Sequence, residues 1–381
     1  MKSVLKLILQ FIQRAILIFS YSIARREKNK KIIIGVTEIA NVLFNMKQLF
    51  SEGCVIVCKN RNPFYENNNY DIDISNKKYA THFIAPFVLG KLAKNARFFI
   101  YLWCDGFLYN RELDFRFLKS HNIPIICCFL GDDIRSRKRF LNYCNSINFN
   151  TYVEYDNPSL YLSNIYDNKK KALAEQADKY ASIIFSYKFD QYSYLESGQY
   201  FFPPVINETF FFNFEKFSNR PLRIVHAPSS PVSKGTPIVR SVIKQLKHEG
   251  YDFQYIELIY VSNETVIREL NQSHIVLNQF YSLITGIFGL EAMATGNAVL
   301  MSAKSEHYPY HFNNAWLETE DWQLYGNLKC LLDNPDKIIE YAKNGYDYIT
   351  KNFSRDAVLN SIRSVFLKNG VVFDDVNRNA P

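Results

Sequence analysis

Short continuous apolar runs alternate with amphipathic stretches along most of the chain. Residues 31–37 (K-I-I-I-G-V-T), 54–59, 96–103 and 123–130 are such runs, and 38–50, 83–95 and 111–120 between them repeat apolar positions at helical spacing. A helix over 170–180 and a strand over 182–186 close this first series. Apolar runs bounded by turns suit parallel strands covered on both faces, and their alternation with helices predicts a doubly wound α/β domain. Pro203 and Pro204 then break the pattern, and an irregular Phe- and Asn-rich segment leads to Arg220. The alternation restarts with strands at 222–227, 253–260, 274–280 and 298–301. Helices are expected at 237–249, 266–271, after Gly286, and at 321–332, 335–351 and 355–367. The pattern predicts two α/β domains, residues 31–205 and 206–381, with the last helix able to cross back to the first.

Ahead of both lies a stretch of different character. Residues 5–24 are strongly apolar but interrupted by Gln10, Gln13 and Arg14, and Arg25, Arg26, Lys28, Lys30 and Lys31 follow. No small-residue cleavage site is evident, so a secretory signal is not expected. Arg14 would fall near mid-bilayer in a spanning helix, which is costly. Residues 1–30 are therefore read as an amphipathic helix lying on an anionic membrane surface, with a basic skirt. A helix packed on the protein itself and a single span are the alternatives.

Composition narrows the picture only slightly. The chain has 381 residues, enough for two ordinary domains, and 48% apolar residues supply two cores. A formal net charge of +8 points to an acidic partner. The basic residues are dispersed and no aromatic-basic reading module is present, so nucleic acid is not expected as a partner. Seven cysteines show neither metal-ligand spacing nor a disulfide framework, and a reducing cytoplasm is the simplest location. Four N-x-S/T triplets, at Asn207, Asn263, Asn271 and Asn352, carry no weight at this Asn content. Asp71-x-Asp73 imitates a metal-binding pair by chance, and no metal or cofactor is expected.

The chemistry concentrates in the second domain. Residues 286–300 (G-I-F-G-L-E-A-M-A-T-G-N-A-V-L) read as a glycine-rich turn, a short helix, a glycine stop and a buried strand. Gly286 and Gly289 would let backbone amides approach a ligand, with Phe288 and Leu290 beside them, and the helix would aim its positive end at an anion. Glu291 lies about one turn in, and Gly296 is placed to end the helix. Upstream, residues 226–237 (H-A-P-S-S-P-V-S-K-G-T-P) leave a strand, with Thr236 expected as helix cap and Pro237 as first helical residue. Lys234 and Gly235 stand just before that helix.

These two segments resemble the donor site of GT-B glycosyltransferases, in particular the large retaining family that includes many bacterial surface-polysaccharide enzymes. The match covers about residues 31–368 and is strongest from 222 to 301. The resemblance implies a GT-B fold: two Rossmann-like domains facing a cleft, and transfer of a sugar from a nucleotide donor to a lipid-linked or growing surface glycan, with retention and without an essential metal. It implies that Lys234 holds the diphosphate, Glu291 the ribose, and the amides of residues 286–289 the phosphates. His226, Ser229, Ser230 and Gly235 are further donor-side candidates, with a core histidine the alternative for His226. In the first domain Gly131-Asp132-Asp133-Ile134-Arg135 resembles a G-S-D-I-R segment of bacterial relatives, so Asp133 and Arg135 join Gly35, Glu38 and Asn41 as acceptor-side candidates; loop structure is the alternative for Asp133 and Arg135. Two positions depart from the pattern: Leu283 replaces an acid and Leu130 a histidine, both sugar contacts in the family. A GT-B subunit that binds without turnover, and a nucleotide-sugar epimerase, remain alternatives. The expected location is peripheral, on the inner face of the cytoplasmic membrane.

Overall fold

The computed structural model describes residues 2–50, 53–65, 68–154, 157–206, 212 and 214–372. Asn207, part of the connection expected after Pro204, and the last nine residues of the second domain lie outside them.

Seven strands form the first sheet: β1 (Lys31–Thr37), β2 (Cys54–Asn60), β3 (Ile72–Asp73), β4 (Ala96–Leu102), β5 (Ile125–Cys128), β6 (Ile183–Phe185) and β7 (Gln199–Tyr200). Their order is β3-β2-β1-β4-β5-β6-β7, and every pairing is parallel. The second sheet holds β8 (Leu222–His226), β9 (Phe253–Glu257), β10 (Ile275–Leu277), β11 (Ala298–Met301) and β12 (Leu317–Glu318), ordered β12-β11-β10-β8-β9 and again all parallel. Both are doubly wound, with different orders. The first sheet reverses between β1 and β4, the second between β8 and β10, and such reversals open a crevice at the carboxyl ends of the strands.

Each sheet is covered on both faces, which is why its strands read as uninterrupted apolar runs. One face of the first sheet packs Ile33, Phe99 and Ile125 against Leu89, Phe115 and Ala174. The other packs Ile34, Phe98 and Ile126 against Leu43 and Leu49, and against Val358, Ile362 and Phe366 of the final helix, Arg355–Lys368. That helix follows the second domain in sequence but belongs to the first core, and Arg355 Nε donates to the Gln48 carbonyl at 2.6 Å. The changeover in the chain lies at residues 205 and 206, since Val205 joins the first core and Ile206 the second.

Several bounds shift from the sequence expectation. The helix expected from residue 38 begins at Val42, because Glu38 acts as its cap: its carboxylate accepts from the amides of Leu43 (3.2 Å) and Phe44 (3.1 Å). A helix over Arg137–Ser146 was not expected; only Arg137, Phe140 and Cys144 of it are buried, too few to print an apolar stripe. The strand expected over 123–130 shortens to Ile125–Cys128, and Gly131 and Asp133 belong to the turn after it.

Residues Lys2–Ile23 form one helix, packed along the helix Thr81–Ala93.

Candidate functional site

A cavity of about 340 Å³ opens between the halves, at the carboxyl ends of both sheets. Ile39 and Ala40, just past β1, and Asn62, Phe64 and Tyr65, past β2, form its first-domain wall. The opposite wall carries Ser229, Lys234, Asn263, Asn278, Gly286, Phe288 and Glu291. A single cavity thus holds a lysine, a buried carboxylate and the first turn of a helix.

The helix is Gly286–Ala294. Gly286 has φ +63°, a conformation that an L side chain adopts only with strain, so glycine is what lets the chain turn into the helix at the cavity wall. Gly289 serves a different purpose from the one expected. A Cβ there would meet the Asn278 side-chain nitrogen at 2.5 Å, so this glycine lets the helix lie close on the end of β10. Phe288 lines the main cavity, and Leu290 faces an adjoining one. Gly296 (φ +68°) follows the end of the helix as expected of a glycine stop.

Glu291 is buried. Loss of solvation pushes its carboxyl up to about 7, opposed by a hydrogen bond from the Asn263 side chain. It lines the cavity, and the bond from Asn263 leaves its carboxylate acceptor capacity for hydroxyl donors. In the sequence Asn263 stands out only as an N-x-T triplet; its place after β9, at a strand's carboxyl end, is the signal that points to it.

Lys234 closes a short helical turn, Pro231–Lys234, where a plain loop was expected, and Gly235 (φ +80°) redirects the chain into the helix Thr236–His248. The Lys234 ammonium donates to the Gln279 side-chain oxygen. Burial, aided by the Arg135 charge and opposed by Asp190, brings its pKa down to about 8. A half-buried cation this poorly compensated favours an anionic ligand. Gln279, next to the cavity residue Asn278, holds Lys234 in place and was missed because an amide carries no motif. Ser229 lines the cavity; Ser230 does not, its carbonyl accepting instead from the Lys234 amide.

His226 corrects an expectation. It is fully buried, Nδ1 lies 2.7 Å from the Leu277 carbonyl, and Nε2 lies 2.9 Å from the Thr236 hydroxyl. The Leu277 carbonyl can only accept, so Nδ1 donates; burial holds the pKa down at about 4, so the ring is neutral and Nε2 accepts from the Thr236 hydroxyl. The histidine ties β8 and β10 to the helix beneath the Lys234 turn and has no ring nitrogen free for a ligand. For the same reason Thr236 is not the helix cap: its hydroxyl faces His226, and Gly235 occupies the cap position.

The acceptor-side candidates prove mainly architectural. Glu38 caps its helix and accepts from the Tyr70 hydroxyl at 3.0 Å. Asn41 accepts from the Asn68 side chain at 2.7 Å. Gly35 lies inside β1 rather than at its end, where a Cβ would approach the Val57 carbonyl to 3.0 Å. Asp133 is buried and accepts from the Leu130 and Gly131 amides at 3.2 and 2.9 Å, shaping the turn. Arg135 pairs with Asp190 rather than Asp133, and reaches the Tyr152 hydroxyl at 2.9 Å. None of these five lines the cavity; their neighbours Ile39 and Ala40 do.

The two departures from the motif have distinct places. Leu130 lines a second, apolar cavity of about 200 Å³ with Tyr187, Phe201, Ile284, Leu290 and Tyr308. The two cavities share Ile39, Ala40, Thr285, Gly286 and Ile287. Leu283 is fully buried among Phe140, Cys144, Phe149, Tyr152 and Val153 of the first half. Among the described residues, no group of three or more His, Cys, Asp or Glu could hold a metal ion, and Asp71 and Asp73 are paired with Lys47 and Arg61.

No family model matches the sequence, and none of the curated proteins does. The solved structures give a clear answer on the fold. Sucrose-phosphate synthase from Thermosynechococcus elongatus is similar over 89% of this chain and 99% of its own (TM-score 0.57, 10% identity). S. aureus MnaA, in a co-structure with UDP, is similar over 92% and 100% (TM-score 0.52, 10% identity). The Phytolacca americana UGT2 complex with UDP-2fluoro-glucose and pterostilbene is similar over 89% and 100% (TM-score 0.52, 11% identity). Two facing parallel-sheet halves with the GT-B arrangement are the fold of this chain.

Proposed function

We propose that the chain transfers a sugar from a nucleoside-diphosphate donor to a glycan acceptor, lipid-linked or growing, at the inner membrane face. The observation that carries this reading is the single cavity holding Lys234, Glu291 and the first turn of the Gly286–Ala294 helix. A diphosphate would neutralise the Lys234 ammonium, and it would meet the positive helix end on the same side. Glu291 would accept from ribose hydroxyls while ionised. Two structural neighbours, MnaA and UGT2, hold UDP or a UDP-sugar, which supports a donor of that class.

The transferred sugar would lie where the two cavities join, around Thr285, Gly286 and Ile287. As its bond to the leaving phosphate breaks, charge collects on the diphosphate, where Lys234 and the helix stabilise it most. In the retaining reading, a phosphate oxygen takes the acceptor's proton and the new bond forms on the same face. Lys234 and Glu291 are thus the residues given the reaction.

Calorimetry with UDP-, GDP- and CDP-linked sugars tests the donor site, and release of nucleoside diphosphate with a membrane extract tests turnover. Glu291→Ala is expected to lower donor affinity at least tenfold and abolish measurable turnover, and Lys234→Ala to reduce turnover by about 10²-fold. Absence of binding heat from every sugar nucleotide would remove the proposal. Binding without release would favour the silent subunit, and donor conversion without acceptor the epimerase.

A further inference from the structure

The helix Lys2–Ile23 is docked on the protein the wrong way round for a soluble domain. Its protein-facing stripe is Gln13, Leu17 and Ser20, all fully buried. Gln13 donates to the His82 carbonyl at 2.9 Å and accepts from the Tyr109 amide at 2.9 Å. Ser20 crosses Gly90 so closely that a Cβ there would fall 1.9 Å from the serine oxygen. These contacts, together with Leu17, which joins the first core with Tyr21 packed beside it, fix the helix in a mixed seam.

The opposite side is apolar and bare. At 100° per residue, Leu7, Ile8, Phe11, Ile12, Ile18 and Phe19 fall on one arc, with Phe11 75% and Leu7 66% exposed. Lys6 and Arg14, the only charged residues between 4 and 23, fall off that arc. Exposed contiguous apolar surface on this scale marks an interaction site.

The patch does not stop at the first helix. Tyr109 lies under the Lys6 ammonium (5.9 Å) and beside His82 (ring centroids 6.3 Å apart). Tyr79 (85% exposed), Phe83 and Tyr109 are exposed aromatics at this end, where His82 and Tyr109 meet the first helix. The two helices run in the same direction: Gln13 sits by His82, Ser20 by Gly90, and the Asn95 side chain bonds the backbone of Arg25 and Glu27. Asn95 precedes β4, whereas Tyr109 follows it. The Lys6–Gln13 end of the first helix, with Tyr79, Phe83 and Tyr109, therefore lies on the side of the first sheet that faces the cavity.

Charge says what covers this surface. Exposed Lys77, Lys78 and Arg14 border it, and exposed Arg25, Arg26, Lys28 and Lys30 stand at the far end. The one acid of the first 31 residues, Glu27, is paired with Lys31. An uncharged apolar face rimmed by cations matches acyl chains beneath anionic headgroups, and a second copy would bring the same positive rims together.

We infer that this composite face, the first helix together with Tyr79, Phe83 and Tyr109, docks in the plane of an anionic bilayer and holds the cavity side of the first domain at the lipid surface. The surface sharpens the membrane part of the proposed function and names what touches lipid; it stands without the donor site, so the two fail separately.

Flotation of the full chain with phosphatidylcholine vesicles, with and without phosphatidylglycerol, is the test. Binding is expected to rise at least tenfold with the anionic lipid. Phe11→Asp with Phe19→Asp, on the bare arc, should weaken binding by about 10²-fold, and Tyr79→Ala, Phe83→Ala and Tyr109→Ala together by about tenfold. Each variant's melting curve confirms folding. Full binding by the triple variant would overturn the composite face. Resistance to alkaline carbonate with an N-terminal tag protected inside sealed vesicles would show a spanning helix and overturn it too. So would a dimer that fails to bind vesicles.

Discussion

Glu291 illustrates how one side chain can serve function at the expense of stability. In the unfolded chain its carboxyl ionises near 4.5, and in the folded protein near 7, because burial disfavours the charge. Below pH 4.5 both states are protonated and the residue is neutral to stability. As pH rises to 7 the unfolded state ionises first, so the folded protein loses about 3 kcal/mol relative to a chain lacking that charge. Glu291→Gln is therefore expected to melt at the same temperature as wild type at pH 4, and several degrees higher at pH 8, while binding donor more weakly. Coincident melting curves across that range would show that Glu291 is not buried as a lone carboxyl. The motif string gave this residue directly. His226 lay in an equally suggestive string, but pairing of its two nitrogens depends on Leu277 and Thr236, which only folding brings to it.

At the level of elements, the first helix depends on one crossing. Gly90 leaves room for Ser20 and for the Leu17 carbonyl, 2.6 Å from where a Cβ would stand. Gly90→Val should force the two helices apart, cost about 1–3 kcal/mol, and expose residues 1–30 to protease while the rest of the chain stays resistant. An unchanged digestion pattern would mean that the helix is held elsewhere. The sequence distinguished poorly between a helix packed on the protein and one lying on a membrane, and the structure shows why. A seam of Gln13, Leu17 and Ser20 faces the protein and the wider apolar arc faces out, so the helix is docked by one side and bare on the other.

On the scale of the whole molecule, the substitution of an acid by Leu283 makes sense as a joint. The side chain is fully buried with Tyr281 among aromatic residues of the first half, and Asn150 reaches Asp321 across the same seam at 2.9 Å. Placing at this position the acid found in the enzymes that the segment resembles should fail: Leu283→Glu would bury a charge without a partner, lowering stability by about 3 kcal/mol and giving no gain in turnover. A variant that melted normally and transferred faster would show that the seam opens in solution. The apolar second cavity, where Leu130 stands, adjoins this joint through Ile284 and Thr285.

The alternation of strands and helices, two α/β halves, and the segments bearing Lys234 and Glu291 followed from the chain alone, because period, turn residues and short motifs are local properties. The first-domain wall of the cavity did not. Ile39, Ala40, Asn62 and Tyr65 carry no motif and matter only because β1 and β2 end opposite the second sheet. Nor did the two strand orders, or the contacts made by Glu38, His226 and Gly289, whereas the return of the final helix was among the expectations. Those contacts depend on which groups meet across separations from 5 residues, for Glu38 and Leu43, to 51, for His226 and Leu277, and that is decided by burial and hydrogen-bond pairing once the chain has packed.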